Sequence, residues 1–115
     1  RKDARGSLRI LPPYKRRGIP ILNAQRELLD FIQDKPEVVC LTFAQDVNYQ
    51  EGPYTTGTLE EILPLLDFEY DAGFGSQKLY GTIWFADGSW ATRGEYDGSE
   101  WWKHQTPRAL PVRFQ

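Results

Sequence analysis

Two Asp-Gly pairs, Asp87-Gly88 and Asp97-Gly98, divide the segment 78–105 into three short stretches. An Asp-Gly pair adopts positive φ angles at low cost, and a tight two-residue hairpin loop requires such angles. The segment is therefore predicted to fold as a three-stranded antiparallel meander. Because side chains alternate between the two faces of a strand, the loop length also predicts which side chains lie together.

The predicted pairing divides the meander into two faces. With two residues in each loop, Ala86 pairs with Ser89 and Tyr96 pairs with Ser99, and the other pairs follow by counting outward. One face combines apolar side chains with two glycines on which an indole can lie, so we expect it to form the core. That face holds Leu79, Gly81, Ile83, Phe85, Trp90, Thr92, Gly94, Tyr96 and Trp101.

The opposite face is predicted to be polar and open, although it carries three large aromatic side chains. Tryptophan, tyrosine and arginine are the residue types that most often dominate the energy of an interface. Arg93 is expected directly opposite Trp102, where it either contacts a partner or forms an intramolecular cation–π pair. We interpret this face as a binding surface formed by Tyr80, Trp84, Arg93, Trp102 and His104. Its other members are Lys78, Thr82, Ala91, Glu95 and Glu100.

A catalytic use of the same face is the alternative hypothesis. Glu95 and Glu100 are predicted to pair directly, and two carboxylates at that separation disfavour joint ionisation, as in general acid–base pairs. His104 would then act as the acid and Arg93 would hold a phosphate, as in a small nuclease-like hydrolase. Glu95, Glu100 and His104 could also ligate a metal ion, but they lack a usual ligand spacing, so no metal is expected.

The charge of the chain is unevenly distributed. Residues 1–18 contain seven basic residues and one acidic residue, a net charge of +6, whereas the remaining residues contain seven basic and 15 acidic residues, a net charge of −8. A basic arm of this kind either folds across an acidic surface of its own domain or contacts a polyanion. With bases stacked on Tyr80, Trp84 and Trp102, the arm would complete a module for single-stranded nucleic acid. The arm residues assigned to this contact are Arg5, Arg9, Lys15, Arg16 and Arg17.

The middle of the chain predicts one helix and one strand before a long loop. Asn23 can cap a helix over residues 24–33, whose apolar side chains form one stripe. Residues 37–45 are apolar on both sides of a strand, so we expect a covered strand in the interior of the sheet. Residues 46–57 are polar and contain Gly, Pro and Asn, which predicts a loop.

A second, shorter helix is predicted to follow that loop. Thr58 and Glu61 form a capping box, and Pro64 removes a helical hydrogen bond, so the helix should be short or distorted. Residues 68–71 alternate between apolar and acidic side chains, as in a short strand. The predicted fold class is α+β, with an antiparallel sheet that ends in the meander and two short helices on its Trp90 and Trp101 face.

Length and composition favour one domain. We expect a basic N-terminal arm over residues 1–20, a single α+β domain over residues 21–106 and an extended tail over residues 107–115. Cys40 is the single cysteine, which excludes a disulfide within the chain. The sequence has neither the glycine fingerprint of a nucleotide cofactor site nor an apolar run of about 20 residues, so neither a cofactor nor membrane insertion is expected.

The run 81–102, GTIWFADGSWATRGEYDGSEWW, preceded by LDFEYDAGFGSQKLY, resembles a C-terminal pattern of small uncharacterised proteins encoded by phages and mobile elements. The resemblance covers roughly residues 59–107 and excludes the basic arm. It implies a phage or mobile-element accessory protein, a class that often binds and blocks host machinery. On this basis we expect a non-enzymatic protein of the host cytoplasm that binds a host or viral macromolecule, foremost a protein, through the aromatic face, and that acts as an inhibitor.

Overall fold

An antiparallel sheet with two helices against one side forms the part of the chain that the computed structural model describes, namely residues 21–73, 75–107 and 112–114. The arm residues assigned to nucleic acid lie outside this part. The predicted α+β class is confirmed. In chain order the elements are β1 (Ile21–Asn23), α1 (Ala24–Ile32), β2 (Val38–Val47), β3 (Gln50–Glu51), β4 (Thr55–Gly57), α2 (Leu59–Ile62), a 3₁₀ helix (Leu63–Leu66), β5 (Glu69–Asp71), β6 (Leu79–Phe85), β7 (Trp90–Tyr96), β8 (Ser99–Gln105) and a 3₁₀ turn (Val112–Phe114).

Local signals in the sequence set both helices as predicted. The side chain of Asn23 accepts a hydrogen bond from the backbone N–H of Arg26 and caps α1. Thr58 and Glu61 form the reciprocal capping box of α2. Pro64 cannot donate a helical hydrogen bond, and the chain continues as a 3₁₀ helix after a single α-helical turn.

The strands form one large sheet and one small one. The large sheet has the order β3-β2-β6-β7-β8, with β4 also paired to β2, so the predicted meander and the interior position of residues 37–45 are confirmed. β1 and β5 form a separate antiparallel pair. The prediction of one loop over residues 46–57 is wrong, because β3 and β4 lie within it and pair with β2.

The first hairpin of the meander has one more loop residue than predicted. Thr82 pairs with Thr92 and Trp84 pairs with Trp90, and the N–H of Phe85 donates to the carbonyl oxygen of Ser89 at 3.0 Å. The loop therefore contains three residues, Ala86 to Gly88. Only Gly88 has a positive φ, of 90°, which is the geometry of a type I turn followed by a left-handed residue.

The second hairpin has the two-residue loop that its Asp-Gly pair predicts. Asp97 and Gly98 both adopt positive φ angles, 52° and 88°, as a type I′ turn requires. Tyr96 pairs with Ser99, Arg93 with Trp102 and Glu95 with Glu100, as expected.

The extra loop residue moves β7 and β8 by one position relative to β6, and this overturns the predicted faces. A shift of one residue exchanges the two sides of a strand. Trp102 is only 5% exposed and packs with the buried side chains of α1, β2 and β6. The expectation that the helices cover the Trp90 and Trp101 face is therefore wrong, because they cover the face of Arg93 and Trp102. The fully buried large side chains include Leu28, Leu41, Ile62, Leu66, Leu79 and Ile83.

Two strand glycines lie under indole rings, but on opposite faces of the sheet. A Cβ atom on Gly94 would lie 2.8 Å from Cε2 of Trp101, the contact that the register predicts. A Cβ atom on Gly81 would lie 2.9 Å from Cη2 of Trp102 and 2.6 Å from the backbone oxygen of Thr42. The expected placement of both glycines on one face is wrong, although each is covered by a tryptophan.

The tail is not extended throughout, because residues 112–114 form a 3₁₀ turn. None of the helices in the described ranges is long and apolar enough to cross a membrane.

Candidate functional site

The five residues predicted to form one binding surface are divided between the two faces of the sheet. Tyr80 and Trp84 lie on the face away from the helices, and Trp84 is 43% exposed. Arg93, Trp102 and His104 lie on the face that the helices cover. Their assignment to the open face is wrong, because the first hairpin loop is one residue longer than a two-residue turn.

The centre of the helix-covered face is a buried cluster of four polar side chains around Arg93. Nη1 of Arg93 donates to Oε2 of Glu27 at 3.1 Å. Nη2 donates to the hydroxyl oxygen of Tyr70 at 2.7 Å and to Oε1 of Glu100 at 2.8 Å. The Tyr70 hydroxyl in turn donates to Glu27. The cluster thus joins α1, β5, β7 and β8.

Both carboxylate oxygens of Glu100 accept hydrogen bonds from within the chain. Its Oε2 accepts a hydrogen bond from the backbone N–H of Lys78 at 2.7 Å, and its Oε1 accepts one from Leu79 at 3.1 Å in addition to that from Arg93. The side chains of Glu100 and Arg93 are 0% and 1% exposed. Because a buried charge is stable only when paired and hydrogen-bonded, this geometry makes Glu100 a structural anchor of the segment before β6.

The electrostatics of the cluster favour fixed protonation states. Burial raises the pKa of the Tyr70 hydroxyl, and the nearby carboxylate of Glu27 raises it further, against the opposing effect of Arg93. Burial alone lowers the pKa of Arg93, but the charge of Glu27 and the contacts with Tyr70 and Glu100 together outweigh it, and the pKa is raised above its ordinary value. Tyr70 therefore stays neutral and Arg93 stays charged across the ordinary pH range, and both act as donors.

Trp102 packs between the Arg93 cluster and α1. The Arg93 guanidinium carbon lies 4.9 Å from the Trp102 ring centre, so the intramolecular cation–π pair is the contact observed. The ring of Phe31 lies 6.4 Å from that of Trp102 at an interplanar angle of 29°. Within the described residues, Nε1 of Trp102 and Nε of Arg93 have no hydrogen-bond acceptor. Packing thus holds this indole in place.

Glu95 and His104, the remaining candidates for acid–base chemistry, form hydrogen bonds with residues at the two hairpin turns. Oε2 of the exposed Glu95 accepts a hydrogen bond from the N–H of Gly98 at 3.1 Å. Nε2 of His104 lies 3.0 Å from Oγ of Ser89, which is 2% exposed and donates to Oδ1 of Asp87 at 2.5 Å. In a serine hydrolase the imidazole accepts the serine proton, but here that proton is directed to the carboxylate. The hydrogen bonds that link Asp87, Ser89 and His104 therefore stabilise the first turn.

The same contact affects the charge of the first turn. The hydroxyl and backbone N–H groups of Ser89 hold the pKa of Asp87 below its ordinary value.

No group of three or more His, Cys, Asp or Glu side chains in the described ranges is placed to hold a metal ion.

The other side of the sheet, called the open face below, consists of rows of paired side chains that run across the strands. The tryptophan row contains Cys40, Trp84, Trp90 and Gln105 in neighbouring strands. The threonine row beside it contains Thr56, Thr42, Thr82, Thr92 and Lys103. Tyr80 and Trp101 follow two residues further along β6 and β8, and Trp101 is 40% exposed. Tyr96 follows Gly94 by two residues along β7 and is 75% exposed, so the open face presents three tryptophans and two tyrosines, none of which the helices in the described ranges cover.

A shallow cavity of about 500 Å³ lies on another part of the molecule, between the end of α1 and the start of α2. Its apolar lining comes from Ile32, Val39, Leu59 and Leu63, and Lys35, Glu37 and Glu60 stand at its edge. The cavity brings together no set of residues with an evident chemical role.

The aromatic residues Trp90, Tyr96 and Trp101 were predicted to lie in the core and instead lie on the open face, as do Thr92 and Gly94 beside them. The alternation of apolar residues does not separate the two possibilities, because β8 has a tryptophan on each face. One signal was available: Glu27 lies within the apolar stripe of α1, between Ala24 and Phe31, and so requires a buried cation such as Arg93.

Comparisons of the chain with protein-family models, with curated proteins and with solved structures return no match.

Proposed function

We propose that the protein is a non-enzymatic binding protein whose contact surface is the open face. The observation that carries the proposal is the set of aromatic side chains on that face: Trp84, Tyr96 and Trp101 are exposed, and Tyr80 and Trp90 are partly exposed. Large aromatic side chains supply contact area at low cost in conformational entropy and dominate the energy of many interfaces. This set replaces the predicted one, in which Arg93, Trp102 and His104 accompanied Tyr80 and Trp84.

The contrast between the two faces supports binding over hydrolysis. Arg93 and Glu100 would hold a phosphate and a proton in a nuclease-like site, but both are buried and paired to each other. On the open face, the tryptophan and threonine rows contain no carboxylate and no histidine. The accessible aromatic surface and the acid–base groups therefore lie on opposite sides of the sheet.

The cellular role that accompanies this proposal follows the resemblance of the run 81–102. An accessory protein of a phage or mobile element would act in the host cytoplasm by occupying a surface of a host or viral macromolecule and inhibiting it. A flat aromatic face on a small domain suits that role, because blocking a surface requires contact area and no catalytic groups.

Capture from host lysate tests the proposal. The bait proteins are the wild type, the Trp84→Ala/Trp101→Ala double variant and, as a control, Tyr49→Asn. Tyr49 is an 86% exposed aromatic residue in the β2–β3 turn at φ 66°, an angle that asparagine tolerates. We expect a macromolecule that the wild type and Tyr49→Asn retain and the double variant loses, with thermal melting showing that all three baits are folded.

Retention by all three baits, or by none, would contradict the proposal. Each capture is divided into a nuclease-treated and an untreated half, and the bound protein and nucleic acid are both analysed. Comparison of the two halves shows whether the retained macromolecule is a protein or a nucleic acid.

A further inference from the structure

The chemistry of the open face is unusually uniform. Its tryptophan row places Trp84 directly beside Trp90, and its threonine row runs unbroken through four strands to Lys103. Tyr80 lies four residues from Trp84 along β6, or about 13 Å at the rise of a strand. The face therefore offers flat aromatic surfaces at two levels with hydroxyl groups between them.

The two rows contain no leucine, isoleucine, valine, methionine or phenylalanine. The core of a protein interface is usually rich in aliphatic as well as aromatic side chains, because both fill pockets of the partner. Here the large side chains are aromatic and the small ones are mostly threonines, which donate and accept hydrogen bonds. Such a surface suits a ligand that is itself flat, aromatic and polar at its edges.

The charges within the tryptophan and threonine rows point to an anionic ligand. Lys103 is exposed at the end of the threonine row, beside Thr92, and neither row has a carboxylate. Glu27 and Glu100 lie on the opposite side of the sheet and are paired with Arg93. The sequence adds a net charge of +6 in residues 1–18. The carboxylates of Glu27 and Glu100 are thus kept away from the two rows.

We infer that the open face binds single-stranded nucleic acid, with unpaired bases stacked on Trp84, Trp90 and Trp101 and a phosphate near Lys103. The inference rests on the binding function proposed above and names its ligand class. Stacking on aromatic side chains tolerates any base, because every base has a π-face. A duplex hides those faces within its base stack, so the site selects unpaired strands.

The carboxylates of Asp46 and Glu51 set the direction of the bound strand. They lie at the far end of β2 and in β3, beyond the level of Tyr80, and would repel phosphates there. We therefore place the nucleic acid along the tryptophan and threonine rows, across the strands of the sheet.

Fluorescence anisotropy with a labelled oligothymidylate of about 12 nucleotides tests the inference, since binding sites of this kind cover about 4–16 nucleotides. We expect the wild type to bind, and Trp84→Ala to weaken the affinity by about 5-fold to 100-fold. Lys103→Gln should lower the slope of log affinity against log salt by about 0.7, the value for one phosphate contact on a single strand. Tyr49→Asn should change neither quantity, and a duplex of the same length should compete poorly.

Three results would overturn the inference. The first is the absence of binding by the wild type at low salt. The second is an equal loss of affinity in Trp84→Ala and Tyr49→Asn. The third is binding that disappears on deletion of residues 1–18 but is unchanged in Trp84→Ala, because the arm alone would then hold the nucleic acid.

The lysate experiment separates this inference from the proposed function. A nuclease-resistant protein partner that depends on Trp84 and Trp101, together with no oligonucleotide binding, would refute the nucleic-acid ligand and leave the open face as a binding surface. Loss of all capture that depends on the tryptophans, together with no oligonucleotide binding, would refute both.

Discussion

The two hairpins of the meander contain the same Asp-Gly pair and fold differently. Asp97-Gly98 forms a two-residue loop with both residues at positive φ, whereas Asp87-Gly88 lies in a three-residue loop in which only Gly88 is at positive φ. The second loop follows the local preference of its sequence. Both hairpins also contact distant segments: beside the second loop, Ser99 forms a bridge with Gly73 and the N–H of Glu100 donates to the carbonyl oxygen of Ala72 at 3.1 Å.

The first loop has contacts from outside its hairpin, with Glu37 and His104, and two hydrogen bonds within it. The N–H of Ala86 donates to the carbonyl oxygen of Glu37 at 2.8 Å, and His104 of β8 lies against Ser89. Asp87 accepts two hydrogen bonds from Ser89. Tertiary contacts with Glu37 and His104 hold the longer loop, and its one additional residue decides which tryptophans are buried.

Adjacent tryptophans of β8 provide the strongest test of this difference. Trp102→Ala should lower the free energy of unfolding by about 3–5 kcal/mol, because it leaves a cavity beside Phe31 and Arg93. Trp101→Ala should lower it by about 1 kcal/mol or less, because Trp101 lies on the open face. Urea denaturation of both variants against the wild type measures the two values.

The test depends on which of the two variants, Trp102→Ala or Trp101→Ala, loses more of the free energy of unfolding. If Trp101→Ala were the more destabilising variant, the first loop would have two residues in solution and the faces would be exchanged. Equal effects would show that the helices cover neither face selectively.

Alkaline titration of Tyr70 tests whether Arg93 lies on the helix-covered face. The pKa of Tyr70 is raised above its unfolded value of about 10, so its contribution to stability is complete below about pH 10 and is lost as the pH rises above that value. At about pH 11 the loss should be about 1.4 kcal/mol. The measurement is the difference in unfolding free energy between the wild type and Tyr70→Phe from about pH 9 to pH 11.

This difference should shrink as the pH rises, because only the wild type has to keep the phenol protonated on folding. The exposed Tyr96 provides the matched control through Tyr96→Phe, which should lose stability in parallel with the wild type. A constant difference between the wild type and Tyr70→Phe would contradict the buried cluster.

Deletion of Ala86 should have the smallest effect of the three. The remaining Asp87-Gly88 loop would join Phe85 directly to Ser89, which already pair, so no side chain would change face. The main loss is the hydrogen bond to Glu37, which is worth about 0.5–1.5 kcal/mol. We expect a fall of about that size in the free energy of unfolding by urea denaturation.

An alanine inserted between Tyr96 and Asp97 is the mirror-image control. It gives the second hairpin a three-residue loop while Tyr96 still pairs with Ser99. Failure of the Ala86 deletion variant to fold would show that the pairing across the first loop is not the one described above.

The parts of the fold that depend on neighbouring residues were predictable. Asn23 caps α1, the capping box of Thr58 and Glu61 starts α2, and Pro64 ends its α-helical part. Each signal acts within one turn of the chain. The existence of the three meander strands follows in the same way from the Asp-Gly turns and alternating side chains.

The site was predictable only in part, because it depends on pairing between distant segments. Trp84 was correctly placed on the open face, since β6 alone determines it relative to Ile83. Trp101 and Trp102 were exchanged because β8 places one indole on each face, so the apolar pattern fits both registers equally. The contact that distinguishes the registers, Glu27 with Arg93, joins residues 66 positions apart.

The long separations within the Arg93 cluster also bear on kinetics. Glu27 and Tyr70 are 43 positions apart, and Tyr70 and Arg93 are 23 apart. Closing such loops early costs chain entropy before other contacts can compensate for it, so the cluster should assemble after the rate-limiting step of folding. Interactions that form this late leave the folding rate unchanged and slow unfolding. The cluster would then determine how long a folded molecule persists more than how quickly it forms.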